Sequence, residues 1–371
     1  MRPPLQVGLL ADTLDHPGGI GRYVREVLGA LGRRSDVRVT VLAPRASAGL
    51  ARSLAGSVLH ELVIPPRADQ VSLALWDRYR AGRAFDVAGA EVIIGCKHLV
   101  PHTRRPTLLV VHDVLTITRA HENALTKRLL LPAQYRSSLT SASRLVAVSA
   151  ATKTRLGALD RRWSAKCDVI ANGMSARLID AEPERPASLN DRDFALVVGD
   201  LSPRKNVALL TRLWAATMPS ELTLVVVGPD HGTDTPVRRE LLALERVGRV
   251  VWIRDANDAV LRWCYEHARV VLFPTFEEGF GLPLLEAMTF HAPVVASTDL
   301  ALREVSRGDP SVTHVDPGDD TGWRSAIAAA AGAIRTPYLV PRLPAGAITW
   351  DEHTHRLVEV ARALARGTPP G

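Results

Sequence analysis

The 371-residue chain has few cysteines and no apolar segment long enough to cross a bilayer. Its three cysteines, Cys96, Cys167 and Cys264, lie far apart without CxxC spacing, which argues against a disulfide framework and against a zinc site. We expect all three to be small buried residues. The longest apolar runs, such as 326-AIAAAAGAI, have the length of a strand or a short helix, whereas a membrane-spanning helix needs about 20 residues.

The N-terminus also lacks the basic region, the long apolar stretch and the small-residue cleavage site of a signal peptide. We therefore predict a cytoplasmic protein. Hydrophobic residues make up 46% of the chain and charged residues 23%, which is the composition of a folded protein and excludes disorder over most of its length. At roughly 150 residues per domain, the length predicts two domains.

Acidic residues are scarce in one segment. Between Lys97 and Lys166 there are 13 lysines and arginines but only 3 acids, Asp113, Glu122 and Asp160, which gives a local net charge of +10 against +7 for the whole chain. A basic surface can meet nucleic acid, anionic lipid or a phosphorylated substrate. A solvated, arginine-rich surface without a partner explains the same composition.

Short apolar runs alternate with segments of helical period, which indicates strands connected by helices. Near-continuous apolar character, as in 107-TLLVV, is typical of strands covered on both faces. The pattern restarts after the proline-bearing stretch 180–193. We therefore predict an α/β fold of two tandem Rossmann-like, doubly wound parallel-sheet domains with a cleft between them. Strands are predicted near residues 5–10, 37–43, 91–94, 107–111 and 145–148, and again near 194–199, 222–228, 250–253, 270–274 and 293–297.

Two loops of the first domain carry candidate functional residues. Gly18 and Gly19 precede a predicted helix, where backbone N–H groups can approach an anion, although an ordinary tight turn explains these glycines as well. His112 and Asp113 follow the fourth predicted strand. An imidazole there can donate to a phosphate or a hydroxyl or shuttle a proton, whereas capping or packing is the simpler explanation.

In the second domain, Arg204 and Lys205 immediately precede a predicted helix. Cations at a helix N-terminus oppose the helix dipole unless an anion binds there, so this pair predicts a site for a diphosphate.

The most informative stretch is 273-FPTFEEGFGLPLLEAM, which carries two acids eight positions apart. Glu278 is predicted in a loop after a strand, and Glu286 in the following helix, facing the cleft and accepting hydrogen bonds from hydroxyls. Gly279 and Gly281 free the backbone to approach a ligand closely. Chance surface acids would not explain this arrangement.

At these residues the chain resembles the GT-B glycosyltransferases, specifically the large retaining family 4, whose signature is this pair of glutamates. The resemblance extends over nearly the whole chain and includes 18-GGIGRYV, 111-VHDV, 171-ANGM and 201-LSPRKN. It implies that Glu286 holds the nucleotide ribose and that Glu278 lies beside the donor sugar and its anomeric carbon. The other implied contacts are Arg204 and Lys205 with the diphosphate, Gly18 and Gly19 closing on it, His112 with the donor sugar or phosphate, and the backbone of Gly279, Phe280, Gly281 and Leu282 with sugar hydroxyls and diphosphate.

The resemblance implies transfer of a sugar with retention and without a metal or other cofactor, the nucleotide diphosphate sugar being a co-substrate. The stretches GIGRYVREVL and VHDV resemble the mannosyltransferase branch and make GDP-mannose the first expectation for the donor. The acceptor stays open among a glycan, a lipid-linked sugar and a small molecule, in bacterial cell-surface glycan or natural-product synthesis. The basic segment 97–166 then fits peripheral association with an anionic membrane on its inner face, and nucleic acid is not expected as a partner.

The same resemblance gives the domains their roles. Residues 1–172 are predicted as the acceptor-side domain, 173–190 as a linker and 191–348 as the domain that binds the nucleotide sugar. Residues 349–371 are predicted as a terminal helix packing back on the first domain, followed by a disordered tail at 367–371.

Asp200 departs from the family pattern, which often has arginine or threonine there, and puts diphosphate affinity in question. It is the only support for a different class of function, a catalytically silent homologue that serves as a binding or scaffold subunit. A nucleotide-sugar epimerase or a phosphorylase would lack the double-glutamate signature or carry a lysine for pyridoxal phosphate. A dinucleotide oxidoreductase should show GxGxxG, and the chain does not.

Overall fold

The computed structural model describes residues 3–16, 18–65, 76, 79–119, 125–189, 192–230, 232, 235–333 and 340–367, without the side chains of 125–129. The chain divides into two compact units, one formed by residues 1–173 with 348–371 and the other by residues 174–347. The segment 174–190, part of the predicted linker, thus belongs to the second unit. Residues 368–371 of the predicted disordered tail lie outside the described residues.

The first unit contains a sheet of seven strands in the order β3-β2-β1-β4-β5-β6-β7, with every pair parallel. Two helices cover long stretches of its sequence, α1 (Gly19–Gly32) and α5 (Leu125–Ser141). The strands are β1 (Leu5–Leu10), β2 (Val37–Leu42), β3 (Leu59–Val63), β4 (Val92–Gly95), β5 (Thr107–Val111), β6 (Arg144–Ala147) and β7 (Cys167–Val169). The remaining helices are α2 (Ala48–Ala55), α3 (Ala81–Val87), α4 (Leu115–Thr118), α6 (Ala150–Leu159) and α7 (Arg161–Ala165).

The second unit contains a parallel sheet of six strands in the order β11-β10-β9-β12-β13-β14. The short strand β8 (Gly173–Met174) precedes it. The strands are β9 (Phe194–Val198), β10 (Thr223–Val227), β11 (Val250–Ile253), β12 (Val270–Phe273), β13 (Val294–Ser297) and β14 (Val312–Val315). The helices are α8 (Ala176–Asp180), α9 (Val207–Ala216), α10 (Pro236–Arg246), α11 (Asp258–His267), α12 (Leu282–Thr289), α13 (Leu300–Ser306) and α14 (Asp320–Gly332).

The last elements are the short strand β15 (Ile348–Thr349) and helix α15 (Trp350–Ala365), which belong to the first unit. The Thr349 hydroxyl caps the helix by accepting from the N–H of Glu352 at 3.2 Å. Leu357, on the inner face of α15, is fully buried. Two ion pairs attach the helix to the first unit, Arg33–Asp351 at 2.6 Å and Arg362–Asp36 at 2.7 Å.

The prediction of two tandem α/β domains with parallel sheets is therefore confirmed, while the cleft between them stays a prediction. In each sheet the strand order reverses once, between β1 and β4 in the first unit and between β9 and β12 in the second. Ligands of such sheets bind beyond the carboxyl ends of the strands at these reversal points. All three cysteines are buried, as predicted, and none forms a disulfide. Within the described residues, no helix has both the length and the apolar character to span a bilayer.

Candidate active site

Three charged side chains meet beyond the carboxyl ends of β9 and β12. Lys205 Nζ donates to Glu278 Oε1, and Arg204 Nη1 lies 3.1 Å from Glu278 Oε2. The side chain of Glu278 is only 10% exposed. The structure thus brings the predicted pair Arg204 and Lys205 against Glu278, which lies more than 70 positions further along the sequence.

The ionisation of Glu278 follows from these neighbours. Burial by itself raises the pKa of this carboxyl, but Lys205 and Arg204 outweigh burial and hold its pKa below the ordinary value. Glu278 is therefore a carboxylate at neutral pH. The two cations are therefore held beside this carboxylate, where an anionic ligand can also interact with them.

A sharp turn after β9 presents the two cations. Pro203–Lys205 forms a single turn of 3₁₀ helix, and Asn206 follows with a left-handed φ of 51°. The Arg204 carbonyl accepts from the Thr275 hydroxyl and the Phe276 N–H, both at 2.8 Å. The loops after β9 and β12 therefore support each other, which fixes the cations relative to the loop that carries Glu278.

Asp200 has a structural partner inside the same turn. Its Oδ1 accepts from the backbone N–H of Ser202 at 3.1 Å and from the Ser202 hydroxyl. Burial raises the pKa of Asp200, but the Ser202 hydroxyl and the charge of Arg204 lower it further than burial raises it. This carboxylate therefore stabilises the turn. A small pocket beside it, at the reversal point of the sheet, is lined by Gly199, Asp200, Lys205, Phe273, Pro274 and Thr275, among others.

Glu286 lies inside helix α12 and is almost completely buried, with 2% of its surface exposed. It accepts a hydrogen bond of 2.8 Å from the hydroxyl of Tyr265 on helix α11. The sequence analysis missed Tyr265. The sequence does contain one signal for it. Tyr265 lies four positions after the apolar Leu261, which places both on one face of a helix, and a phenol on a buried face needs a polar partner.

The loop before α12 contains the remaining predicted residues of this unit. Gly279 and Phe280 are buried, and Leu282 begins the helix. Gly281 precedes the helix with a φ of 96°, and a Cβ there would lie 2.6 Å from Leu302 Cδ2. Both its left-handed φ and this close approach require glycine.

In the first unit, His112 follows β5, where the sequence places it. Its Nε2 is 2.8 Å from the Cys96 carbonyl, which can only accept, so Nε2 carries the proton. Burial lowers the pKa of His112, and the ring is neutral at neutral pH. Asp113 Oδ1 accepts from the N–H of Leu115 at 3.0 Å, which is the capping role considered for it. The ring of Tyr23, another residue that the sequence analysis missed, lies edge-on to His112 with centroids 4.6 Å apart.

The glycine loop lies at the start of α1, as predicted, and its role toward an anion stays a prediction. Gly18 is the N-cap of α1, and its N–H donates to His16 Nδ1 at 3.0 Å. A Cβ at Gly19 would meet no atom within 4 Å, whereas one at Gly21 would lie 2.0 Å from the His16 carbonyl. Packing therefore requires glycine at Gly21, which the sequence analysis did not single out, and leaves Gly19 unconstrained.

Two family models match the chain, one over each half. Residues 17–177 match the model described as Glycosyltransferase Family 4, and residues 179–330 match the model described as Glycosyl transferases group 1. The chain belongs to the family 4 glycosyltransferases. The order of its motifs thus identified the family correctly.

Among relatives of this glycosyltransferase, O-antigen chain mannosyltransferase B of Escherichia coli is 29% identical over 298 residues, which cover 73% of this chain and 74% of the relative. O-antigen chain mannosyltransferase RfbU of Salmonella typhimurium is 23% identical and covers 64% of each chain. Anabaena HepE, solved with UDP and glucose, has a TM-score of 0.72 at 17% identity and covers 97% of this chain and 100% of its own. The likeness to HepE supports the GT-B fold.

Proposed function

We propose that this glycosyltransferase is a retaining, metal-independent hexosyltransferase. It moves a sugar, in the first instance mannose, from a nucleotide diphosphate sugar to a glycan, lipid-linked or small-molecule acceptor. The observation that carries this proposal is the cluster of Arg204, Lys205 and Glu278 at the reversal point of the second sheet.

In this proposal Arg204 and Lys205 stabilise the departing diphosphate. Charge develops on the phosphate oxygen as the bond to the anomeric carbon breaks, and preorganised cations stabilise that charge without a divalent metal. Partial burial of both side chains strengthens the interaction, because they are 25% and 14% exposed. The backbone of Gly279, Phe280, Gly281 and Leu282 would contact the sugar hydroxyls and the diphosphate, and Gly18 and Gly19 would close on the diphosphate.

Glu278 has a different role. Because its pKa is held low, it is ionised and cannot act as a general acid at neutral pH. A carboxylate beside the anomeric carbon stabilises the positive charge that develops there. In the front-face reaction the acceptor oxygen bonds to the anomeric carbon as the phosphate oxygen leaves, and the acceptor proton passes to that phosphate oxygen. Retention follows without a covalent intermediate on Glu278.

Glu286 would anchor the nucleotide by accepting from the ribose hydroxyls. Its position is supported by the hydrogen bond from Tyr265. His112 would accept from a hydroxyl of the donor sugar through Nδ1, because its Nε2–H donates a hydrogen bond to the Cys96 carbonyl. Donation from the imidazole to the phosphate or a hydroxyl, considered from the sequence, is therefore not part of this proposal.

The names of two relatives support mannose as the sugar, since both are called O-antigen chain mannosyltransferases. They also favour a cell-surface glycan, the O-antigen chain, as the product, while GDP-mannose is proposed from the sequence resemblance alone. HepE, in contrast, was solved with UDP and glucose, so UDP-glucose is the main competing donor. We further propose that the protein is cytoplasmic and associates with the inner face of an anionic membrane through residues 97–166.

A donor panel tests this proposal. We expect one of GDP-mannose, UDP-glucose and dTDP-glucose to raise the melting temperature and to release its nucleotide on incubation. Glu286→Ala should weaken nucleotide binding about tenfold or more, because a hydrogen-bonded carboxylate is lost. Glu278→Ala should chiefly lower kcat, by about 100-fold, because its charge acts in the transition state.

Glu221→Ala, which removes an exposed acid in the same unit, is the matched control and should change neither quantity. Equal effects of the three substitutions would contradict the assigned roles. Binding of a nucleotide sugar without turnover of any donor would favour the silent binding subunit instead.

A further inference from the structure

A buried chain of hydrogen bonds connects helix α15 with the surroundings of His112. The Tyr23 hydroxyl on α1 lies 2.8 Å from His353 Nε2 on α15. His353 Nδ1 lies 2.7 Å from the Ala171 carbonyl. Tyr23 and His353 are both completely buried, so water cannot replace these partners.

The donors and acceptors of this chain can be assigned. The Ala171 carbonyl can only accept, so His353 Nδ1 carries a proton and donates it. Burial lowers the pKa of His353 to about 4, so the ring is neutral and its Nε2 accepts. Burial also raises the pKa of Tyr23 well above its ordinary value, so its hydroxyl keeps its proton. Tyr23 therefore donates to His353, and His353 donates to Ala171.

The ring of Tyr23 also contacts the imidazole of His112, with centroids 4.6 Å apart. The two rings meet at an interplanar angle of 83°, which is an edge-to-face contact of the favourable kind. His112 has a second constraint, the hydrogen bond from its Nε2 to the Cys96 carbonyl. One hydrogen bond and a tyrosine ring that itself bonds to His353 and packs against Trp350 thus bear on its orientation.

We propose that Tyr23 and His353 are positioning residues for His112. Neither residue would contact the substrate, and both would act by fixing the plane of the His112 imidazole. Helix α15 thereby contributes to the site although its residues are far from β5 in sequence. The consequence for catalysis rests on the proposed function of His112.

The first measurement is NMR of the protein labelled with ¹⁵N-histidine. Tyr23→Phe keeps the ring but removes the hydroxyl that anchors it, so the His112 resonances should shift or broaden. The resonances of His314 should not change, because this histidine bonds to Ser297 and Ser306 in the second unit. Unchanged His112 resonances in Tyr23→Phe would overturn the proposal, whatever the activity of the protein.

The second measurement is a double-mutant cycle on the release of GDP from GDP-mannose, or of UDP from UDP-glucose. We expect Tyr23→Phe to lower kcat about tenfold, because small misplacements of a contact group are costly. Added to His112→Ala, the same substitution should lower kcat no further. A merely structural effect would persist in the His112→Ala background and would contradict positioning through His112.

Tyr135→Phe is the matched control. The Tyr135 hydroxyl is also buried and donates to a carbonyl, that of Asp113 at 2.8 Å, but its ring lies against His98. It should perturb His112 and kcat much less than Tyr23→Phe, and equal effects would overturn the proposal. If His112→Ala alone leaves kcat unchanged, the proposed function of His112 fails, while the NMR measurement still decides the positioning claim.

Discussion

Glu278 is a buried carboxylate that depends on two cations for its charge. Ionising a carboxyl away from water is costly, and here Lys205 and Arg204 offset that cost. Removing one partner of such a cluster leaves the others buried without compensation. The same contacts on which its proposed catalytic role depends therefore make it a determinant of stability.

This coupling gives a prediction about stability and pH. The folded-state pKa of Glu278 lies below its ordinary value of 4.5, so its ionised form stabilises the fold above that pH. The contribution is lost as the pH falls through the folded-state pKa. We expect Glu278→Gln to lower the free energy of unfolding by about 3 kcal/mol at pH 7. The difference from the wild type should shrink steadily below about pH 4.5, as urea unfolding at several pH values would measure.

Glu352→Gln is the control for this measurement. Glu352 pairs with Arg356 on α15, and the two side chains are 45% and 50% exposed. Exposed pairs of this kind contribute about 0–1 kcal/mol, so the substitution should have a small effect at every pH. A penalty for Glu278→Gln that stays constant down to pH 3 would contradict the ionic origin.

At the residue scale, the sequence pointed to single side chains of the candidate site but not to the partners that they contact in the fold. Arg204, Lys205 and Glu278 were all identified as site residues, but no local pattern predicts a contact across so many positions. Tyr265 and Tyr23 were missed for a related reason. A tyrosine within an apolar helix face has the same period as a core residue, and only the fold shows which polar atom its hydroxyl meets.

At the scale of elements, the turn from β9 into α9 connects three loops through one side chain. The side-chain amide of Asn206 donates to the Pro274 carbonyl at 3.1 Å and to the Pro317 carbonyl at 3.0 Å. It thereby connects the loop after β9 with the loops after β12 and β14. The left-handed φ of Asn206 favours asparagine or glycine, and only asparagine supplies the two hydrogen bonds.

Substitutions at Asn206 should separate these two contributions. Asn206→Gly keeps the backbone geometry and loses both hydrogen bonds, so the free energy of unfolding should fall by about 2 kcal/mol. Asn206→Ala adds the cost of a left-handed φ, about 1 kcal/mol more. Urea unfolding would measure both effects on stability, and hydrogen exchange of the Thr275 and Phe276 amides would report on the loop after β12.

Arg307 provides the backbone control, because it is exposed and has a φ of 48°. The difference between Arg307→Ala and Arg307→Gly should match the difference between alanine and glycine at Asn206. Equal stability of Asn206→Gly and the wild type would show that the two hydrogen bonds contribute nothing.

The strands that the sequence predicted are mostly central ones, and the exception is β11, an edge strand whose sequence VVWI is apolar throughout. The sequence did not predict β3, β7 or β14, which lie at the ends of the two sheets. Each of them carries polar or charged side chains, as in Glu61 of β3, Asp168 of β7 and His314 of β14. Edge strands are often short and polar because they face solvent, so their sequences lack the continuous apolar signal.

For the whole molecule, counting charge along the sequence overstated the basicity of residues 97–166. Acids from outside this segment lie against three of its bases. The pairs are Lys97–Asp12 at 4.0 Å, Arg105–Asp86 at 2.9 Å and Arg144–Asp168 at 2.8 Å. A charge count over one segment leaves out acids that lie elsewhere in the sequence and that folding places beside its bases. Membrane attraction therefore depends on the exposed bases of the segment, such as Arg104, Arg136 and Arg161.

We expect the protein to sediment with vesicles that contain anionic phosphatidylglycerol, and much less with neutral phosphatidylcholine vesicles. The bound fraction should fall as salt rises, because ions screen exposed charges. Arg136→Glu, on α5, should weaken binding about tenfold, since each basic residue near an anionic surface contributes about 1 kcal/mol. Arg324→Glu changes the net charge equally but lies on α14 in the second unit, and it should leave binding within about twofold. Equal losses of vesicle binding for the two variants would show that net charge alone drives the attraction. If the protein does not bind anionic vesicles even at low salt, an anionic membrane is excluded as a partner of residues 97–166.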